Sequence, residues 1–131
     1  MPAIATEAQL RKRLNTLRIT RIQFREAVAD PLKRSMLARS PIAAAAIAWE
    51  LPTEAAAAGW QMTMMQDESG WHVSLERGID DETELHTAGD AKSLLKALFQ
   101  LTDATQQQIE ALEAEARRQL AQMERAANVA A

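Results

Sequence analysis

Residues 60–77, WQMTMMQDESGWHVSLER, decide the fold because their hydrophobicity alternates along the chain. Two alternating runs, 60–65 and 71–77, each direct one set of apolar side chains to a single face: Trp60, Met62 and Met64 in the first, and Trp71, Val73 and Leu75 in the second. The polar residues 67–70 between them are typical of a turn, which predicts a β-hairpin with a loop of four or five residues. After the acidic turn 80–82, a third strand is predicted over 83–88, which gives a short antiparallel meander.

The segment before this hairpin has helical periodicity. A stripe of apolar residues predicts an amphipathic helix that starts at Thr6 or Glu7: Leu10, Leu14, Leu17, Phe24 and Val28. The β-branched residues within 17–24 leave a short strand as an alternative there. Asp30–Pro31 and Ser40–Pro41 each predict a helix start, and Pro52 predicts a break, with one or two further turns before Gly59.

Two helices are predicted after the sheet. Gly89–Asp90 is expected to cap the first, which runs to about residue 100, and Thr102 or Asp103 to cap the second, which runs to about 127. The apolar stripe of the last helix includes Ala116 and is narrow, so it is typical of a seam packed on one side, and pairing with a second copy would cover it. We therefore expect a homodimer, formed through this helix or the hairpin.

A length of 131 residues fits one domain, because two cores of about 60 residues each would be marginal. We predict a single α+β domain over residues 1–131: a helical basic region over 6–59, a β-meander of two or three strands over 60–88, and a region of two helices over 90–127.

The composition excludes several classes of function. The absence of cysteine removes thiol nucleophiles, disulfides and thiolate zinc sites. The four isolated glycines form no phosphate-binding loop, and no serine lies in a nucleophile elbow. His72 and His86 are expected on the solvated face of the sheet rather than at a metal. We expect a non-enzymatic protein without cofactor or metal.

The sequence predicts neither a signal peptide nor a membrane span. Its longest apolar run, Ile42 to Trp49, has eight residues, whereas a helix needs about 20 to cross the hydrocarbon core. We therefore expect a cytoplasmic protein with no membrane partner.

The formal net charge of −3 conceals an uneven distribution. The first 40 residues hold nine basic and three acidic side chains, a net charge of +6, and the remaining 91 hold six basic and fifteen acidic ones, −9. Such an asymmetry is informative about partners rather than about fold.

Two functions follow as hypotheses for a small bacterial-type accessory protein. The first is nucleic-acid binding, because arginine makes bidentate contacts with phosphate, through Arg11, Lys12, Arg18, Arg21, Arg25, Lys33 and Arg34. The alternative is that this face neutralises the acidic remainder of the chain or an acidic partner. The second hypothesis is a protein–protein adaptor, inhibitor or chaperone-like module that uses the last helix and an adaptable apolar surface on the hairpin: Trp60, Met62, Met64 and Trp71.

The order of a meander followed by two helices is loosely similar to that of small acidic secretion chaperones. The basic N-terminal third departs from that type, and no motif carries the similarity, so the sequence is assigned to no family.

Overall fold

The computed structural model describes residues 5–130. Its elements are α1 (Glu7–Phe24), a π-helical turn (Arg25–Ala29), α2 (Asp30–Leu37), α3 (Pro41–Ala57), β1 (Gln61–Asp67), β2 (Gly70–Asp80), β3 (Thr83–Ala91) and α4 (Leu94–Ala130). The strands form one antiparallel sheet in the order β1-β2-β3. The predicted α+β class and the three-stranded meander are therefore confirmed.

The register of the hairpin agrees with the predicted apolar face. Met62 pairs with Leu75 and Met64 with Val73, so their side chains share the side of the sheet that faces the core. The loop is shorter than predicted, since Asp67 pairs directly with Gly70 and only two residues connect the strands. The Asp67 carboxylate accepts a hydrogen bond from the Ser69 backbone N–H at 2.8 Å, and this local bond stabilises the tight turn.

Helix α1 starts at the predicted place and continues through 17–24, so the strand alternative is wrong. Thr6 and Gln9 form a capping box: each side chain accepts a hydrogen bond from the backbone N–H of the other. The predicted stripe is the buried face, with four side chains at most 1% exposed: Leu10, Leu17, Phe24 and Val28.

Asp30 does not cap a new helix. Ala29 and Asp30 have helical backbone angles, and the helix passes from α1 into α2 through the π-helical turn, where the Asp30 N–H bonds to the carbonyl of Arg25. A proline ring clashes with the preceding turn of a regular α-helix, and this wider turn lies immediately before Pro31. Ser40 does cap α3, because its hydroxyl accepts from the Ala43 N–H at 3.0 Å.

The predicted break at Pro52 is also absent, and α3 continues to Ala57. Pro52 removes one backbone hydrogen bond, but Leu51 and Ala55 on either side are fully buried, and their packing offsets that loss. The helix ends in a Schellman motif: the Trp60 N–H bonds to the carbonyl of Ala55 at 2.8 Å, and Gly59 has a positive φ of 87°.

The two predicted C-terminal helices are a single helix of 37 residues. It starts after Ser93, whose hydroxyl accepts from the Lys96 N–H, while the predicted cap Gly89–Asp90 belongs to β3. Thr102 caps nothing, because its hydroxyl donates to the carbonyl of Leu98 within the helix. Leu101 and Thr105 are fully buried, so burial continues across the predicted break and stabilises one helix.

Helix α4 packs on both the sheet and α1. Its first half closely approaches β3: a Cβ added to Gly89 would lie 2.1 Å from the carbonyl oxygen of Ala97. Its second half runs antiparallel to α1, where Leu10 packs with Ala116 and Leu120 in a separate small core. The narrow stripe of the last helix is therefore covered by α1, and pairing of this stripe with a second copy is not needed to bury it.

Candidate functional site

Three arginines of the basic segment contact the acidic remainder of the chain. Arg13 Nε lies 2.6 Å from Asp80 Oδ2, at the end of β2. Arg21 and Arg11 reach carboxylates of α4, as Arg21 lies 3.4 Å from Glu113 and Arg11 lies 3.8 Å from Glu124. Arg11 and Arg21 belong to the predicted nucleic-acid-binding face, and both lie near acidic residues of the same chain. This part of the face therefore fits the alternative hypothesis, in which the arginines neutralise the acidic remainder of the chain.

The Arg13–Asp80 contact is the best shielded of these pairs, since the Arg13 side chain is only 13% exposed. Burial by itself raises the pKa of Asp80, but hydrogen bonds from Arg13, the Glu82 N–H and Thr83 outweigh this effect and hold the pKa below its ordinary value. The pair attaches α1 to the end of β2.

Among the described residues, the other cations of the segment have no such partner. Within residues 5–129, no carboxylate oxygen lies within 4.0 Å of five exposed side chains that the sequence singled out: Lys12, Arg18, Arg25, Lys33 and Arg34. Within the described part of the chain, the Arg18 guanidinium donates to the Asn15 side chain, at 3.4 Å. Arg39, between α2 and α3, is exposed in the same way.

Arg18 lies on α1, and Arg25, seven residues later, begins the π-helical turn that continues it. The two side chains therefore project from similar positions at a separation of about 10 Å along the helix axis. Between them, Ile19 and Ile22 are 41% and 38% exposed. This side of the helix therefore combines uncompensated positive charge with apolar surface, and we call it the α1 basic face.

The hairpin residues predicted for protein interaction are divided between core and surface. Trp60 and Met62 are 3% and 9% exposed and belong to the core, where the Trp60 ring packs 5.5 Å from that of Phe24. Met64 and Trp71 are half-buried. The exposed methionine of the hairpin is Met65, at 55%.

Sequence reasoning missed a cluster around His72 at the hairpin tip. The His72 imidazole lies between two carboxylates: Nδ1 is 2.6 Å from Asp90 Oδ1, and Nε2 is 2.9 Å from Asp67 Oδ1. The Ser69 hydroxyl lies 2.9 Å from Nε2 and 2.6 Å from the same Asp67 oxygen. The signal available in the sequence was the spacing of Asp67 and His72 across a two-residue turn.

Ser69, His72 and Asp90 have the order of contacts of a hydrolytic triad, but the charges favour a different role. The hydrogen bond to Asp90, and then that to Asp67, raise the pKa of His72 above its ordinary value of 6.5. A carboxylate oxygen lies at each ring nitrogen, which favours a proton on both, and a protonated Nε2 cannot accept the proton of a serine hydroxyl. The Asp67 carboxylate also competes for that hydroxyl. The cluster is suited to joining the hairpin tip to β3.

The two histidines do not meet. His86 lies 3.5 Å from Glu76 further along the same open face of the sheet. Among the residues that the structure describes, no group of three or more potential ligands is arranged to hold a metal ion.

A second surface feature lies where α2 meets α3. Three large apolar side chains there are between 62% and 83% exposed: Met36, Leu37 and Ile42. Because exposed apolar side chains seldom cluster on a monomer without a role, this α2–α3 elbow is a candidate contact for another protein.

Comparison of the chain with protein-family models, with curated proteins and with solved structures finds no match in any of the three. Over residues 5–130, none of the helices combines the length and apolar character that crossing a membrane requires.

Proposed function

We propose that this chain is a non-enzymatic accessory protein that binds nucleic acid through the α1 basic face and the adjoining cations of α2. The observation that carries the proposal is the difference between two groups of arginines on one helix. Arg11 and Arg21 approach carboxylates of α4, whereas Arg18 and Arg25 have none within 4.0 Å among the described residues. Internal neutralisation therefore accounts for the first group and leaves the second available to an external polyanion.

The spacing of these cations suits a phosphate backbone. Arg18 and Arg25 are about 10 Å apart along the helix axis, which corresponds to roughly three phosphates of one strand. Further along the same helical path, Lys33 and Arg34 add two more exposed charges. Phosphate contact of this kind is tolerant of sequence, so we expect similar affinity for nucleic acids of different sequence.

The lack of an exposed aromatic side chain on α1 favours a duplex over a single strand as ligand. Phe24, the aromatic residue of α1, is 1% exposed, so it offers no platform on which bases can stack. The part-exposed Ile19 and Ile22 can contact sugars without reading base edges.

Fluorescence anisotropy with a labelled 20-base-pair duplex at low salt tests the proposal. The variant Arg18→Ala/Arg25→Ala is expected to bind at least about tenfold more weakly than the wild type, since each phosphate contact contributes strongly at low salt. The matched control is Arg117→Ala/Arg118→Ala, which removes the same charge from α4, where both arginines pair with glutamates. Equal losses in both variants, or no binding by the wild type, would contradict the proposal.

A second candidate function, a protein adaptor, is favoured by the α2–α3 elbow. With Trp60 and Met62 in the core, this surface and Met65 replace the predicted hairpin surface as the apolar contact. If Leu37→Ser/Ile42→Ser abolishes capture of a protein from nuclease-treated lysate, while duplex binding by the wild type is undetectable, the adaptor becomes the better account.

A further inference from the structure

The two edges of the sheet are protected to different degrees. On β3, the backbone N–H groups of His86 and Asp90 donate to the side-chain oxygens of Gln108 and Gln100, each at 3.1 Å. Helix α4 therefore covers the outer edge of β3 and satisfies hydrogen-bonding groups that would otherwise be free.

Among residues 5–130, the outer edge of β1 receives no hydrogen bond from a helix side chain, although α3 packs near this strand in the core. In a hairpin with a two-residue loop, the pair that flanks the loop is hydrogen-bonded and the pairs alternate from there. Asp67 and Gly70 flank the loop, so the N–H and C=O groups of Met62, Met64 and Gln66 point away from β2. Within residues 5–130, these outward groups have no hydrogen-bond partner.

The composition of β1 also lacks the features that usually block strand addition. Residues 61–66 contain no charge and no proline, and their pairing with β2 is continuous, without a bulge. Met65 is 55% exposed on the open face of this strand. An extended backbone can therefore pair with β1 over most of its length.

We propose that the occupant of this edge is β1 of a second copy of the chain, which pairs antiparallel about a two-fold axis at Met64. In this register, Met64 faces Met64 of the second copy and Met62 faces Gln66. The outward backbone N–H and C=O groups of one β1 strand therefore lie opposite those of the other and can form hydrogen bonds with them. The dimer then contains one continuous six-stranded sheet.

The side chains favour self-pairing in this register. On the open face, Thr63 lies opposite Met65 of the second copy, so each exposed methionine gains a neighbour. Gln61 lies opposite Asp67, so no like charges meet across the interface.

Sedimentation equilibrium tests the pairing. We expect a dissociation constant in the micromolar range, so the wild type at about 100 µM should have a mass of twice 14.5 kDa. The variant Thr63→Lys/Met65→Lys places introduced lysines opposite each other at two positions and is expected to weaken the dimer by about tenfold or more. The matched variant Thr63→Lys/Met65→Glu places opposite charges there and should remain dimeric. Both substituted positions are exposed or part-exposed, and circular dichroism checks that each variant is folded.

Disulfide trapping tests the register itself, because the natural chain contains no cysteine. Positions 63 and 65 face each other across the proposed interface with Cα atoms about 4.5 Å apart, a distance that a disulfide can bridge. Thr63→Cys/Met65→Cys should therefore yield a covalent dimer under oxidation, and the control Glu84→Cys/His86→Cys, at the covered edge, should not.

A wild-type chain that is monomeric at about 100 µM overturns the proposal, even if it binds an unrelated extended peptide, since that concentration far exceeds a micromolar Kd. Loss of the dimer in both charge variants, or in neither, also overturns it. These results are independent of nucleic-acid binding, because the α1 basic face contributes nothing to the β1 edge.

Discussion

The Nδ1 atom of His72 lies 2.6 Å from Oδ1 of Asp90, and this contact joins the β1–β2 hairpin to the end of β3. The partner carboxylate on the other side, Asp67, has a pKa of about 2, held low by hydrogen bonds from Ser69 and then from His72. Both carboxylates therefore favour the charged imidazolium between them.

The raised pKa of His72 predicts how stability depends on pH. The folded state binds the proton more tightly than the unfolded state, so the stabilisation is fully present below pH 6.5 and is lost as the pH rises through the folded pKa. We expect the free energy of unfolding from urea titrations to fall over this range in the wild type and less in His72→Gln.

His86→Gln is the matched control for the histidine prediction, because it removes a histidine from the same face of the sheet but not from this cluster. An NMR titration that gave His72 a pKa of 6.5 or below would contradict the account. So would an identical pH dependence in the wild type and His72→Gln.

The close contact between β3 and α4 predicts that Gly89→Ala is strongly destabilising. The added Cβ would lie 2.1 Å from the Ala97 carbonyl oxygen and 2.8 Å from the Leu101 nitrogen, so strand and helix must separate. We expect a loss of about 2 kcal/mol or more in the free energy of unfolding, measured by urea titration.

Gly78→Ala provides the comparison for Gly89→Ala, because an added Cβ at Gly78 has nothing within 4 Å. Its free energy of unfolding should remain within about 0.5 kcal/mol of the wild type. If the two alanine variants were equally stable, the close packing of α4 on β3 would be wrong.

The sequence was most informative where one residue pattern had one structural solution. The alternation of 60–77 predicted both the hairpin and its buried face, and the stripe from Leu10 to Val28 predicted the buried face of α1. Each pattern reports which side of an element is buried, and burial supplies most of the energy that selects the structure.

The positions of helix ends were less predictable, because they depend on packing between distant residues. Pro52 and Thr102 both resemble helix boundaries, yet each lies inside a helix whose neighbouring residues are buried. The partners of the cations were equally hidden, since Arg13 and Asp80 are 67 residues apart in sequence. The charge count showed that basic residues are concentrated in the first 40 residues and acidic residues in the remainder. Only the tertiary structure distinguishes the arginines that lie near a carboxylate from those that do not.

Glu113 on α4 predicts opposite effects for two substitutions. Its side chain is 3% exposed, and its Oε1 atom has no hydrogen-bond partner among residues 5–130. Arg21 and Arg117 lie 3.4 and 3.3 Å from its oxygens. A buried carboxylate carries a desolvation cost, which an apolar group of similar size removes. Removing one of the neighbouring cations instead leaves the buried charge less well compensated and increases that cost. We expect Glu113→Met to stabilise the protein by about 1 kcal/mol and Arg21→Ala to destabilise it by about 1 kcal/mol.

Thermal and urea unfolding of Glu113→Met, Arg21→Ala and the double variant measure these two expected changes in stability. The double variant should resemble Glu113→Met, because Arg21 has no buried charge to compensate once the carboxylate is gone. Destabilisation by Glu113→Met would instead mean that the carboxylate holds α1 and α4 together.

The most direct test of the proposed function is the salt dependence of duplex binding by the wild type and by Arg18→Ala/Arg25→Ala. Each phosphate contact contributes about 0.9 to the slope of log K against log salt, so the double variant should have a slope smaller by about 2. The slope of Arg117→Ala/Arg118→Ala should equal that of the wild type. An unchanged slope in Arg18→Ala/Arg25→Ala, or the absence of any duplex binding at low salt, would contradict the account.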